Sequence, residues 1–203
     1  MTGSDSFRLG VNYWPARTAM YWWDDVRFPE VDRDMARIAD LGLQEARIFL
    51  LWEAFQPRPD RVSDDALLRL ETALRAAERH AVGLVMSLFC GHMSGVNWLP
   101  PWALGGSSGD ARFRVVSQGR AVSSRLANWY SDPAIAEAQA LLAREAAAAV
   151  AGHAALWAWD LGNENSNCGI PPDRAHGVDW LSRVTDAIRR ADPTARITLG
   201  LHM

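Results

Sequence analysis

Apolar and polar positions along this chain alternate between short buried runs and longer amphipathic stretches. "FRLGVNYW" (7–14) is an apolar run bounded by Gly and Pro, which predicts a strand. "DRDMARIADLG" (32–42) has apolar residues at 35, 38, 39 and 41, a helical stripe stopped by Gly42. "EARIFLLW" (45–52) is nearly continuous in apolar character and predicts a strand covered on both faces. "SDDALLRLETALRAAERHAVG" (63–83) predicts an amphipathic helix with Ser63 as N-cap and two early aspartates facing its positive end. A third strand, "GLVMSLFC" (83–90), leads into an irregular loop rich in Gly, Ser and Trp over 91–130. "SDPAIAEAQALLAREAAAAVAG" (131–152) starts on Asp-Pro and stops on Gly, as helices do. "ALWAWDLG" (155–162) is the fourth strand, "VDWLSRVTDAIRRAD" (178–192) a helix ended by Pro193, and "ARITLGL" (195–201) the fifth strand.

Doubly buried strands that each precede a helix predict a parallel sheet. The strands begin at 7, 45, 83, 155 and 195, a regular spacing with one doubled interval that the 91–130 loop accounts for. That regularity favours a (β/α)8 TIM barrel over a dinucleotide-binding sheet. No Gly-x-Gly-x-x-Gly follows the first strand, where "GVNYWP" stands instead, and a Gly-Lys phosphate loop is impossible without lysine. Eight units need about 250 residues. Residues 1–203 are therefore expected to be a single, incomplete barrel domain holding roughly the first five βα units. An open edge and an uncovered apolar face then need the remaining strands of the same longer chain, or a second copy, to close the sheet.

Composition narrows the partners. A formal net charge of -3 gives no electrostatic reason to expect nucleic acid or an anionic membrane. Every basic side chain is arginine, a compositional habit that changes nothing else. The N-terminus lacks a basic segment followed by an apolar one, and no apolar stretch is long enough to span a bilayer, so a cytoplasmic location is expected. Cys90 and Cys168 have neither metal nor disulfide spacing and read as reduced thiols. No cofactor is expected. The ten tryptophans stand out because many lie in polar, Pro- or Gly-containing surroundings such as "VNWLPPW".

In such barrels the working residues lie at the C-terminal ends of the strands. Those positions hold Asn12, Tyr13 and Trp14; Arg47, Trp52 and Glu53; His92, Asn97, Trp98 and Trp102; Asp160, Asn163, Glu164, Asn165 and Asn167; and His202. Amides and carboxylates bind hydroxyl groups in pairs, and indole faces stack on the apolar faces of sugar rings. The set suits a neutral, polyhydroxylated ligand.

"LWAWDL" followed by Asn163-Glu164 resembles the acid/base signature of the retaining β-glycosidases built on (β/α)8 barrels. Within that clan the likeness is to glycoside hydrolase family 5, the cellulase and β-mannanase family. "AREAAAAVAGHAALWAWDLGNE" is similar to the corresponding region of that family, Arg47 in "ARIFLLW" to its strand-two arginine, and "GVNYW" to its first strand. The resemblance implies hydrolysis of a β-linked glucan, mannan or related oligosaccharide. Glu164 would be the general acid and then the base, and Asn163 would hydrogen-bond the sugar 2-hydroxyl. Arg47 would hold the nucleophile ionised. That nucleophile, a second glutamate about 5–5.5 Å from the first in retaining enzymes, is expected beyond Met203. Trp14, His92, Asn97, Trp98, Trp102, Asn165 and His202 would contact the carbohydrate.

Each assignment has a plainer counterpart. Asn163-Glu164 could cap the next helix. Asp160 could be a second acid, or a buried carboxylate tied to arginine and backbone donors, with Arg47 as that partner. His92 and His202 could be structural, and Trp98 and Trp102 could pack their loop rather than stack on sugar. Trp157 and Trp159 are expected in the core on at least one side, and Trp22 and Trp23 could pack a loop. Two rival functions remain: a metal-dependent barrel isomerase or hydrolase with Glu164, Asp160, His92 and His202 as ligands, and a non-catalytic carbohydrate-binding barrel.

Overall fold

The computed structural model describes residues 7–106 and 113–201. Eleven strands and five α-helices are formed among them. In chain order these are β1 (Gly10–Asn12), α1 (Phe28–Asp40), β2 (Glu45–Phe49), the one-turn α2 (Trp52–Phe55), α3 (Asp64–Arg79) and β3 (Gly83–Ser87). Then come the short strands β4 (His92–Met93), β5 (Val96–Trp98), β6 (Leu104–Gly106), β7 (Arg114–Ser117), β8 (Arg120–Val122) and β9 (Arg125–Leu126). The chain continues through α4 (Pro133–Val150), β10 (Leu156–Asn163), α5 (Arg174–Ala191) and β11 (Ile197–Gly200).

The main sheet is β1-β2-β3-β10-β11, all parallel, so spatial order equals chain order. A doubly wound sheet reverses direction at a switch point; a barrel does not. The observed order is that of a barrel, as the strand spacing predicts. Helices α1 and α3 pack together outside the sheet, as do α4 and α5. No described helix is long and apolar enough to cross a membrane.

Local chemistry explains the element ends. Ser63 Oγ accepts the Ala66 amide at 3.3 Å and starts α3. Asp132 Oδ1 accepts the amides of Ala134 at 2.9 Å and Ile135 at 3.2 Å, while Pro133 occupies the first turn, where no amide donor is needed. The first strand is shorter than its apolar run: Phe7 and Leu9 are exposed and β1 has no neighbour on its outer side.

One expectation is corrected. The 91–130 loop is not irregular throughout. Its described part builds a four-stranded sheet, β4-β5-β7-β8, and a pair, β6-β9. Short runs such as "VNW" and "RVVS" are below the length at which period-2 alternation is readable. The tryptophans are mainly core. Trp22, Trp23, Trp52, Trp129, Trp159 and Trp180, six of the ten, are buried. Trp129 and Trp180 stack 6.2 Å apart, and Trp52 meets Phe89 and Trp102 edge-on. Trp157 is held instead between the guanidinium groups of Arg8 and Arg196, at 4.1 and 3.9 Å.

Candidate active site

The site is organised by the end of β10. Between Asp160 and Asn163 the pairing of β10 with β11 slips, and such irregularities re-aim side chains next to functional sites. Glu164 then takes a left-handed backbone, φ 48° and ψ 45°, a conformation that costs a non-glycine residue about 1 kcal/mol. It persists because the Glu164 amide donates to Gly200 O at 2.9 Å and Glu164 O accepts the Asn167 amide at 2.8 Å. The strained turn lifts the Glu164 side chain out of the sheet, leaving it 39% exposed.

Glu164 Oε2 accepts Asn167 Nδ2 at 3.0 Å and lies 3.5 Å from His92 Nε2. His92 is itself buried, its Nδ1 2.7 Å from Asn97 Oδ1 and its ring 4.2 Å from the Phe113 ring. Asn97 Nδ2 donates to Asn167 O at 3.3 Å. Asn163 is buried beside this group and donates through Nδ2 to His92 O at 2.6 Å. Helix capping does not explain the Asn-Glu pair. The one-turn helix at Asn165–Asn167 receives no side-chain cap bond from Glu164, and α5 is capped by Asp173, which accepts the His176 amide at 2.9 Å.

One layer deeper, Asp160 is buried and fully engaged. Its Oδ2 accepts Arg47 Nη2 at 2.5 Å, Arg47 Nε at 3.0 Å and the Ser87 hydroxyl. Its Oδ1 accepts the amides of Gly200 at 2.9 Å and Gly162 at 3.4 Å. Of the two readings of Asp160, the geometry is that of a buried carboxylate tied to arginine and backbone donors. Arg47 is correspondingly occupied, with Nε also donating to Ser87 Oγ at 2.9 Å.

No protein-family model matches this chain, and no curated protein matches it. Solved structures do. GH5_18 from Streptomyces cattleya in complex with GlcNAc superimposes with a TM-score of 0.78 and 27% identity over 95% of this chain and 44% of its own. Exo-β-1,4-mannosidase Op5Man5 from Opitutaceae bacterium strain TAV5 gives 0.77 and 31% identity over 96% of this chain and 31% of its own. GH5_18 from Bifidobacterium longum subsp. infantis, at 23% identity and 0.79, shows the same fold. In fold the chain is similar to part of the barrel of these GH5 glycoside hydrolases. It spans less than half the length of each of these structures.

In this family 5-like frame the remaining expected residues divide. Trp14 is partly buried and leans on Phe49 at 5.8 Å. Trp98 and Trp102 are partly buried too, and each uses its indole N–H on a backbone carbonyl, Met93 O at 3.1 Å and Gln56 O at 2.9 Å. Both therefore help to pack the loop. Asn97 is buried behind His92 rather than facing open space. Asn165 is buried with neither amide atom partnered, pressed so closely on Gly162 that a Cβ there would stand 2.2 Å from its Oδ1. His202 lies outside the described residues. No group of three metal-ligating side chains occurs among the described residues.

Two features carry no local signal in the sequence. Asn167 was only one of several amides after the fourth strand, yet it is the direct partner of the Glu164 carboxylate. A second hollow of about 420 Å³ opens among Tyr21, Asp24, Glu53 and Gln118. There Glu53 Oε2 accepts the Gln118 amide at 2.7 Å, and burial followed by the nearby Asp24 pushes the Glu53 carboxyl above its usual range. The turn at Gln118–Gly119, with φ of 49° and 73°, brings these groups together, and only the folded hairpin of β7 and β8 places it.

Proposed function

We propose that this chain carries the acid/base half of a retaining glycoside hydrolase that cleaves β-linked saccharides. The observation that carries the reading is the Glu164 carboxyl. It is raised on a strained turn at the C-terminal end of a barrel strand, open to solvent on one side and hydrogen-bonded on the other. Glu164 gives its proton to the glycosidic oxygen as the C–O bond breaks, then takes one from the water that completes the reaction. Asn163, the neighbouring residue with its Nδ2 held by His92 O, reads a sugar hydroxyl in this scheme. The mechanism needs a second carboxylate about 5–5.5 Å from Glu164. Asp160 does not serve, because both its oxygens are engaged by Arg47, Ser87 and backbone amides. The nucleophile comes from a further strand of the barrel, and Arg47, whose charge is matched by Asp160, serves to hold the floor of the site.

The relatives above 25% identity support a substrate class. One is an exo-β-1,4-mannosidase, and a glutamate-to-alanine variant of GH5_18 from Streptomyces cattleya, 26% identical, was solved with Manβ1-4GlcNAc. β-Mannosides come first, β-glucosides and their polymers second. A panel of nitrophenyl β-glycosides and β-1,4-linked oligosaccharides tests this on the barrel completed with its remaining strands. Release of a β-anomeric sugar from a β-mannoside is expected. Inactivity of the complete barrel on every β-glycoside would refute the reading.

A further inference from the structure

Four side chains close a ring on the Glu164 carboxyl: Asn167 to Glu164, Glu164 to His92, His92 to Asn97, and Asn97 back to the Asn167 backbone. The ring determines which atoms carry hydrogen. Asn97 turns its amide nitrogen toward Asn167 O, so its oxygen is what faces His92 Nδ1 at 2.7 Å. An amide oxygen only accepts, so Nδ1 must carry the proton. A neutral imidazole has one N–H, and Nε2 is then a bare lone pair 3.5 Å from Glu164 Oε2. Two unprotonated atoms facing each other repel. A single proton between them removes the repulsion, whether it sits on the carboxyl or on the imidazole.

Given the acid/base reading of Glu164, we infer that His92 is a positioning residue that keeps one proton shared with this carboxyl. Asn97 selects the tautomer and Asn167 holds the oxygen. Both His92 and Asn167 address Oε2, leaving Oε1 with no protein partner among the described residues. The carboxyl is therefore fixed in rotation with one oxygen free for chemistry. The surroundings add little competing charge. Phe113 covers the His92 ring, and the Asn163 amide holds the His92 carbonyl. The thiols Cys90 and Cys168 are kept neutral by burial, and the Arg47–Asp160 pair, one layer deeper, is self-compensated.

The test uses nitrogen-15 NMR of the histidine rings in this chain, which needs no activity. His92 is expected to show a protonated Nδ1 at neutral pH. Asn97→Asp, which keeps an acceptor oxygen, should preserve that state, and Asn97→Leu should release the ring to the Nε2–H tautomer. Glu164→Gln should change the His92 Nε2 resonance, because Nε2 faces that carboxyl at 3.5 Å. A wild-type Nε2–H tautomer, or an Nε2 resonance indifferent to Glu164→Gln, would overturn the inference. In the complete barrel Asn97→Leu should reduce kcat about tenfold or more on poor leaving groups with KM little changed, and Asn97→Asp should recover most of it. Correct NMR behaviour with no glycosidase activity would fault the functional reading alone; activity with the wrong tautomer would fault the inference alone.

Discussion

Arg47 and Asp160 meet at 2.5 Å across β3, one on β2 and the other on β10, with Ser87 of β3 between them. The pair ties three parallel strands together directly beneath Asn163 and Glu164. Asp160 is 1% exposed and Arg47 24%, so removing one partner strands a charge with little water to replace it. Asp160→Ala should cost about 3 kcal/mol or more in urea unfolding. Asp160→Asn, which keeps the shape and some hydrogen bonds, should cost less. Equal stability of Asp160→Ala and wild type would show that the pair does not hold the strands.

Glu164→Gln should separate chemistry from folding. Glutamine can still accept from Asn167 through its amide oxygen, so the melting temperature should stay within about 2 °C. Turnover of the complete barrel should fall about 10²- to 10⁴-fold on alkyl glycosides, and less on nitrophenyl glycosides, whose leaving groups need no proton.

The two glycines flanking the site should respond differently from one beyond it. A Cβ on Gly91 would stand 2.7 Å from both Cys168 Sγ and the Trp129 ring, and neither can move in a packed interior. Gly91→Ala should lose about 1–3 kcal/mol. Gly162→Ala should lose a similar amount by displacing Asn165, and should also disturb the turn that carries Glu164. Around Gly169 a Cβ meets nothing within 4 Å, and Gly169→Ala should be near neutral in the same denaturation experiment.

Alkaline conditions should weaken the fold through its thiols. Burial pushes both Cys90 and Cys168 well above the ordinary thiol range. The unfolded chain releases these protons above about pH 8.5 while the native chain keeps them. The stability they contribute is full below that pH and falls as pH rises, by up to about 1.4 kcal/mol per pH unit for each thiol. Urea midpoints at pH 7 and pH 10 measure it, and Cys90→Ala with Cys168→Ala should flatten the slope. Both thiols should resist alkylation at pH 8 until the protein unfolds, because thiolate is the reactive form.

Much of the architecture was legible in the chain. The runs at 45–52, 83–90 and 155–162 are apolar on both faces, which only a covered parallel strand tolerates, and the Ser63 and Asp132 caps mark helix starts by local hydrogen bonding alone. The polar end of the fourth run placed Asn163 and Glu164 correctly at a strand mouth. Trp98 and Trp102 were less legible. A tryptophan in a Pro- and Gly-containing loop looks exposed in sequence, and nothing local reveals that Met93 O and Gln56 O will receive the two indole N–H groups.

The sequence by itself determined the order of strands and helices, the barrel class and the residue expected to act as acid, because periodicity, caps and strand ends are properties of neighbouring residues. Only the tertiary structure decided what surrounds that residue. Asn97, Asn167 and His92 are up to about seventy positions from one another or from Glu164, and Asp160 and Arg47 more than a hundred apart. Their partnership depends on parallel strands bringing distant C-terminal ends to one mouth, and on a slipped pairing after Asp160 that turns Glu164 outward. Such contacts are set by register and burial, which no local pattern encodes.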